Sequence, residues 1–267
     1  MKHEAFFRQH PVFTTKEFEI YLLSLGITSK KTEESLLNYY KKSGRLISIK
    51  RGLYAVAPFG VKKEKFIPDP FLITAKISKD SVISHHTALE FYGYAYSTWQ
   101  TFFYTSSLPK LYRFKNFVFK GLKTPEALHK LNMEDFEVTV KDRAGINIRI
   151  TSIERTLVDV LNKPEISGGW EEIWRSLESV EFYNVDKIIE YVRLLNNSTL
   201  AAKVGFFLEH HKEQFMVDER HLDILCKLKP KQPHYMDKNK NKPCKLISKW
   251  NLIVPIEIIE RGWAEVV

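Results

Sequence analysis

The sequence predicts an α+β protein in three parts: a small helical start closed by a β-hairpin, a mixed α/β middle and a helical C-terminal part. Three observations predict it. Residues 1–56 carry helix-period apolar stripes followed by two short β-rich runs around Lys50-Arg51-Gly52. Further β-rich runs between residues 101 and 150 lie among helical patterns. Beyond residue 151 most apolar positions recur at helical spacing.

The first element is "HEAFFRQ" (3–9), a short helix ended by Pro11. Thr14-Thr15 precede "KEFEIYLLSLG", and Glu17 stands three residues after Thr14, the spacing of a capping box. Phe18, Tyr21, Leu22 and Leu25 form its apolar stripe, and Gly26 stops it. "ITS" turns the chain into "KKTEESLLNYYKKSG", where Leu36, Leu37 and Tyr40 make the buried side. The opposite face presents Lys31, Ser35, Asn38 and Lys42, all hydrogen-bond donors. Gly44 ends that helix, and "GRLISIKRGLYAV" follows as a hairpin with a basic tip.

This order is that of a winged helix-turn-helix, in which the last helix enters the major groove and the hairpin tip meets phosphate. The candidate DNA-binding residues are therefore Lys30, Lys31, Thr32, Ser35, Asn38 and Lys42 on the third helix, with Lys50 and Arg51 on the wing. The expected partner is double-stranded DNA carrying an operator. A winged helix used only for protein contacts is the alternative, because fold does not fix function.

Charge supports the same segment. The chain carries a net +9, and residues 1–66 hold 13 Lys/Arg against 6 Asp/Glu, so +7 of it lies there. A basic block on a folded segment is the footprint of a polyanion partner, or a solvated surface. At 267 residues two domains are expected, at 1–62 and 63–267, the second dividing again near residue 163 into an α+β part and a helical part. No apolar run is long enough to span a bilayer, the start lacks the apolar core of a signal peptide, and two cysteines make no disulfide framework. A cytoplasmic protein without membrane contact is expected.

"PFGVKKEKFIPDP" (58–70) has the composition of a linker. "DPFLITAKIS" then suits a helix, and "DSVISHHTALEFYG" a second one, with Ser84 as N-cap and Gly93 as stop. "TFFYTSS", "NFVFKG", "FEVTVK" and "INIRI" suit strands, the last two joined through "DRAG". "TSIERTLVDVL" has Thr151 and Glu154 at capping-box spacing and Arg155 and Asp159 as an i,i+4 pair. Pro164 and Gly168-Gly169 break the chain before "WEEIWRSL", whose first turn holds Glu171 and Glu172. "VDKIIEYVRLL", "STLAAKVGFFLEHH" and "DERHLDILCKL" continue as helices, and Ala201 and Gly205, four apart, allow close approach to a neighbour. Residues 227–249, with eight lysines and one aspartate, suit a loop or long hairpin beside the strand-like "WNLIVPIEII".

Taken in order, "GRLISIKRGLYAV", "DPFLITAKI", "SHHTALEFYG", "TSIERTLVDVL", "GGWEEI" and "AKVGFFLE" resemble the AbiEi family of antitoxins and transcriptional regulators, from about residue 10 to residue 255. "ALEFYG" and "ERTLVD" are the more specific parts. The resemblance implies a DNA-binding N-terminal domain that represses its own operon and a C-terminal domain needed for antitoxicity. It implies a functional link to a nucleotidyltransferase-like toxin, countered in type IV fashion without a stable complex. The lysine-rich stretch at 227–249 and the aromatic content of 91–119 depart from that pattern.

An enzyme is the rival class. His85, His86, Glu90, Glu154, Asp159, Glu209, His210 and His211 are the residues able to assemble a metal or acid–base site. The chain has no H-E-x-x-H, no paired C-x-x-C and no phosphate loop with lysine, so each cluster is read as structural and no catalytic residue, metal or cofactor is assigned. A DNA-associated nuclease is the enzyme alternative. A protein-interaction module using the acidic 164–225 segment is a third.

Overall fold

In the computed structural model, which describes residues 3–237 and 242–261, capping chemistry sets the first helices. The chain opens with α1 (Glu4–Gln9), β1 (Val12–Thr14), α2 (Thr15–Ser24) and α3 (Lys30–Lys42). Thr14 Oγ1 accepts from the Glu17 N–H at 3.3 Å, and the Glu17 carboxylate accepts from the Thr14 N–H at 2.7 Å. This is the predicted capping box. Ser29 caps α3 by accepting from Thr32 N–H at 3.3 Å. β2 (Leu46–Lys50) and β3 (Leu53–Val56) form the predicted hairpin.

β1 was not legible as a strand. It pairs antiparallel with β3, Phe13 opposite Tyr54, giving a sheet ordered β1-β3-β2. The helices and this sheet enclose an aromatic core of Phe6, Phe7, Phe13, Phe18, Tyr40 and Tyr54 with Leu22, Leu37 and Leu46. Leu25 departs from its expected place on the apolar stripe and is 49% exposed, because the helix ends at Ser24 and Leu25 is its C-cap.

The first compact unit runs through Ile83 and takes in Gln100–Leu122 and Val140–Arg149. The expected division after residue 62 falls inside it. Its remaining elements are α4 (Pro70–Lys76), capped by Asp69, the strands β4 (Val82–Ile83), β5 (Thr101–Ser106) and β6 (Leu111–Phe114), and the greater part of β7 (Phe117–Lys123), β8 (Val138–Arg143) and β9 (Ile146–Thr151). They form one six-stranded sheet in the order β6-β7-β5-β4-β9-β8. The "DRAG" turn is as predicted, with Ala144 and Gly145 at positive φ between β8 and β9. β6 was missed: "LYRF" is a short edge strand, alternately exposed and half-buried, that pairs with β7.

The second unit comprises Ser84–Trp99, Lys123–Thr139 and the chain from Ile150. It holds α5 (His86–Tyr92), α6 (Glu126–Lys130), α7 (Ile153–Asn162), α8 (Gly169–Glu178), α9 (Val185–Leu195), α10 (Ser198–His210) and α11 (Glu219–Leu228). The helices bury Leu157, Leu161, Trp174, Ile188, Phe206 and Phe207. The chain closes with β10 (His234–Tyr235), β11 (Cys244–Ile247), β12 (Leu252–Pro255) and α12 (Ile256–Ile259). β12 lies between β10 and β11, parallel to the first and antiparallel to the second. Residues 238–241 of the lysine-rich stretch lie outside the described residues.

The architecture is thus mixed α/β with a helix-turn-helix start and a helical C-terminal part, as predicted. Three local readings are corrected. The N-cap of α5 is His85 rather than Ser84, because Val82-Ile83 are drawn into the sheet and Ser84 Oγ bonds His85 Nδ1 at 3.0 Å. The N-cap of α7 is Ser152 rather than Thr151, which completes β9 and bonds Thr156. "PIEII" turns helical after Pro255 instead of extending the strand. No helix among the described residues is long and apolar enough to cross a membrane.

Gly205 is where α10 meets a neighbour closely. A Cβ there would fall 2.1 Å from the Trp250 ring, whose residue is fully buried. Gly205→Ala therefore overpacks this contact and should lower stability by about 1–3 kcal/mol. Urea unfolding of the two proteins measures it, and an unchanged midpoint would show that the ring moves aside at no cost.

Candidate nucleic-acid interface

α3 sorts its residues by period. Leu37, Tyr40 and Glu33 are buried, while Lys30, Lys31, Thr32, Ser35, Asn38 and Lys42 are exposed. Their six side chains make no hydrogen bond or ion pair among the described residues. The outer face of α3 is thus a row of hydrogen-bonding groups free for a ligand.

The wing is held by backbone bonding. Its turn needs the positive φ of Gly52 (80°), and the Gly52 carbonyl accepts from Thr15 N–H at 3.0 Å, which fastens the tip to the start of α2. Its two basic residues then diverge. Arg51 is exposed at the turn, whereas Lys50 is half-buried with its ammonium 4.9 Å from the centre of the Tyr112 ring on β6.

Not all local charge is surface. Arg45 is 8% exposed, donates to the Ala57 carbonyl, pairs with Glu4 and lies over the Phe59 ring at 4.1 Å. Lys76 pairs with Glu17. Burial alone would raise the Glu17 carboxyl, but the bonds from Lys76 and Thr14 outweigh it and hold the group below its usual range. Sequence reasoning missed Lys16, Lys79 and Lys110, which share a cleft with Lys50. They come from separate stretches of chain, and no local pattern marks them.

The enzyme candidates are occupied by structural bonds. His86 Nε2 bonds Glu172 at 3.0 Å and its ring stacks on Trp99 at 4.0 Å. Glu172 also accepts from the Ser97 hydroxyl at 2.6 Å and from Ser97 N–H at 3.0 Å. Arg155 donates to the carbonyls of Glu134 and Phe136 at 2.9 and 2.6 Å, and Tyr191 OH donates to Asp159 at 2.8 Å. Arg155 Nε and Asp159 Oδ2 are 3.6 Å apart, and both residues are buried. Glu209 accepts from Trp250 Nε1 at 2.6 Å and pairs with Lys249, while His211 lies between the Phe207 carbonyl and Glu178, each at 2.8 Å. No group of three or more His, Cys, Asp or Glu among the described residues could hold a metal.

Two expectations follow from this burial. Asp159→Asn leaves the Arg155 charge buried without its counter-ion and should cost about 3–5 kcal/mol, against a few tenths for an exposed i,i+4 pair. Chemical denaturation decides between them. Burial pushes the His85 imidazole down to about 4 from 6.5. The unfolded chain therefore binds a proton that the folded one refuses over that interval. This contribution is complete above pH 6.5 and is lost as pH falls toward 4, to about 3 kcal/mol. His86 is also lowered by burial, its bond to Glu172 only partly offsetting the effect, and acts in the same direction. His85→Asn should flatten the stability profile between pH 6.5 and 4, and an unchanged slope would place the titration elsewhere.

No curated protein matches the chain. A crystal structure of the RV2827C protein from Mycobacterium tuberculosis is similar over 97% of this chain and 93% of that one, with a TM-score of 0.60 at 12% identity, a likeness of fold. Residues 4–57 match the family model described as "Transcriptional regulator, AbiEi antitoxin". That span holds the capping box, α3 and the wing, with all eight candidate DNA-binding residues. Over residues 4–57 this chain is thus similar to AbiEi antitoxin-type transcriptional regulators.

Proposed function

We propose that the protein is a sequence-specific, non-enzymatic DNA-binding regulator that represses its own operon. In this reading α3 enters the major groove, where Ser35 and Asn38 meet base edges, and Lys30, Lys31, Thr32 and Lys42 flank them. Arg51 and Lys50 on the wing meet phosphate. The observation that carries the reading is the unengaged polar face of α3 beside a basic wing, inside a segment that matches a regulator family. We further propose that residues 63–267 carry an antitoxin function against a nucleotidyltransferase-like toxin without a stable complex. What supports this is the description of the family matched by residues 4–57, which names an antitoxin.

The two elements should fail differently. Each lost phosphate contact lowers the slope of log K against log[salt] by about one unit, so Lys50→Ala with Arg51→Ala should weaken all duplexes and flatten that slope by up to ~2. Ser35→Ala and Asn38→Ala should instead cost roughly 1–3 kcal/mol on the operator alone, with slope and non-specific affinity kept. Binding to upstream DNA and to scrambled duplex across a salt series measures both. Wild-type affinity for the two duplexes that is equal at every salt would remove sequence-specific recognition.

A further inference from the structure

Within the first unit a cleft of about 570 Å³ opens between the start of α2, the wing, the end of α4 and the segment joining β5 to β6. Five lysines line it: Lys16, Lys50, Lys76, Lys79 and Lys110. The carboxylate among its lining residues, Glu17, is tied to Lys76. Asp80, next to Lys79 in the chain, lies behind the wall, where its carboxylate accepts from the Ser78 hydroxyl at 2.8 Å and from the Ser106 hydroxyl and the Ser107 N–H, each at 2.6 Å. Lys16, Lys79 and Lys110 are exposed and make no ion pair among the described residues. Four ammonium groups therefore line one concavity without an ion-pair partner among the described residues. The excess positive charge along its walls favours an anionic ligand.

The lining selects the kind of anion. Lysine ammoniums are compact, mobile point charges that favour negative charge without fixing its geometry. Arginine forks, which grip a small phosphate or carboxylate in two directions, do not occur among the lining residues. No lining side chain is a buried polar group left without a hydrogen bond. A duplex backbone needs only repeated, undirected positive charge along a groove, and its phosphates form a ridge that a groove accepts. The cleft also adjoins the wing directly, because Lys50 and Gly52 are among its walls and Thr15 is bonded to Gly52.

We propose that this cleft continues the DNA track, with Lys16, Lys79 and Lys110 taking phosphates beyond those met by Arg51. The six-stranded sheet and α4, outside the segment that matches the regulator family, then form part of the DNA-binding surface. The proposal rests on the DNA reading above and extends its footprint.

The test uses the full chain with Lys79→Ala and Lys110→Ala combined, titrated with a random-sequence duplex across a salt series. The salt slope should fall by about two units, and the same sites changed to arginine should retain it. A wild-type chain that binds with the usual slope while the alanine variant is indistinguishable from it overturns the cleft proposal and leaves the wing and α3 reading intact. A wild-type chain that binds no duplex at all overturns that reading and the proposal together. Inorganic pyrophosphate and ATP are titrated in parallel. If the alanine variant loses their binding while its DNA slope is unchanged, the cleft is a small-anion site and the proposal is wrong.

Discussion

The pairing of β1 with β3 is the constraint on which the interface depends. A hairpin of two short strands is marginal alone, and the third strand gives it a buried face. Because β1 runs straight into α2, the same pairing sets where α2 begins. Thr14 opposes Leu53 in the sheet and caps the helix at once. The bond from Thr15 to Gly52 then closes the wing tip onto that first turn. The wing and the start of α2 thus move as one piece over the aromatic core beneath them.

Much of this was legible because it is local. Capping boxes, stop glycines and apolar stripes are read within a few residues, and Thr14, Gly26, Gly44 and the face of α3 all came from such spacing. What was not legible depends on distant chain. β1 is three residues that become a strand only because β3 lies alongside. Ser84 resembled a cap until the neighbouring residues were claimed by the sheet. Arg155 and Asp159 have the same spacing whether they face water or the core, and only the packing of α7 against α9 decides. The lysines of the cleft meet through topology, so composition gave their number and not their meeting.

Several buried polar residues of the second unit are bonded to distant parts of the chain. Glu172 receives His86 together with two donors from Ser97, and Asp159 receives Tyr191. Each network joins residues far apart in sequence, so a single truncation strands several partners. Motif residues that could suggest chemistry thus also join distant parts of the chain. The quoted "ERTLVD" and "SHHTALEFYG" segments each supply members of such a network.

The segment after the wing has the composition of a tether, yet it is clasped. Lys115, at the turn between β6 and β7, donates its ammonium to the carbonyls of Lys63, Glu64 and Phe66. From the other side, Lys63 reaches back to the carbonyl of Lys41 at the end of α3 at 2.7 Å. Two lysines thus act as buckles on a strap, one to α3 and one to the sheet. The end of α3 and the β6–β7 turn are thus joined through one short stretch of chain rather than separated by slack.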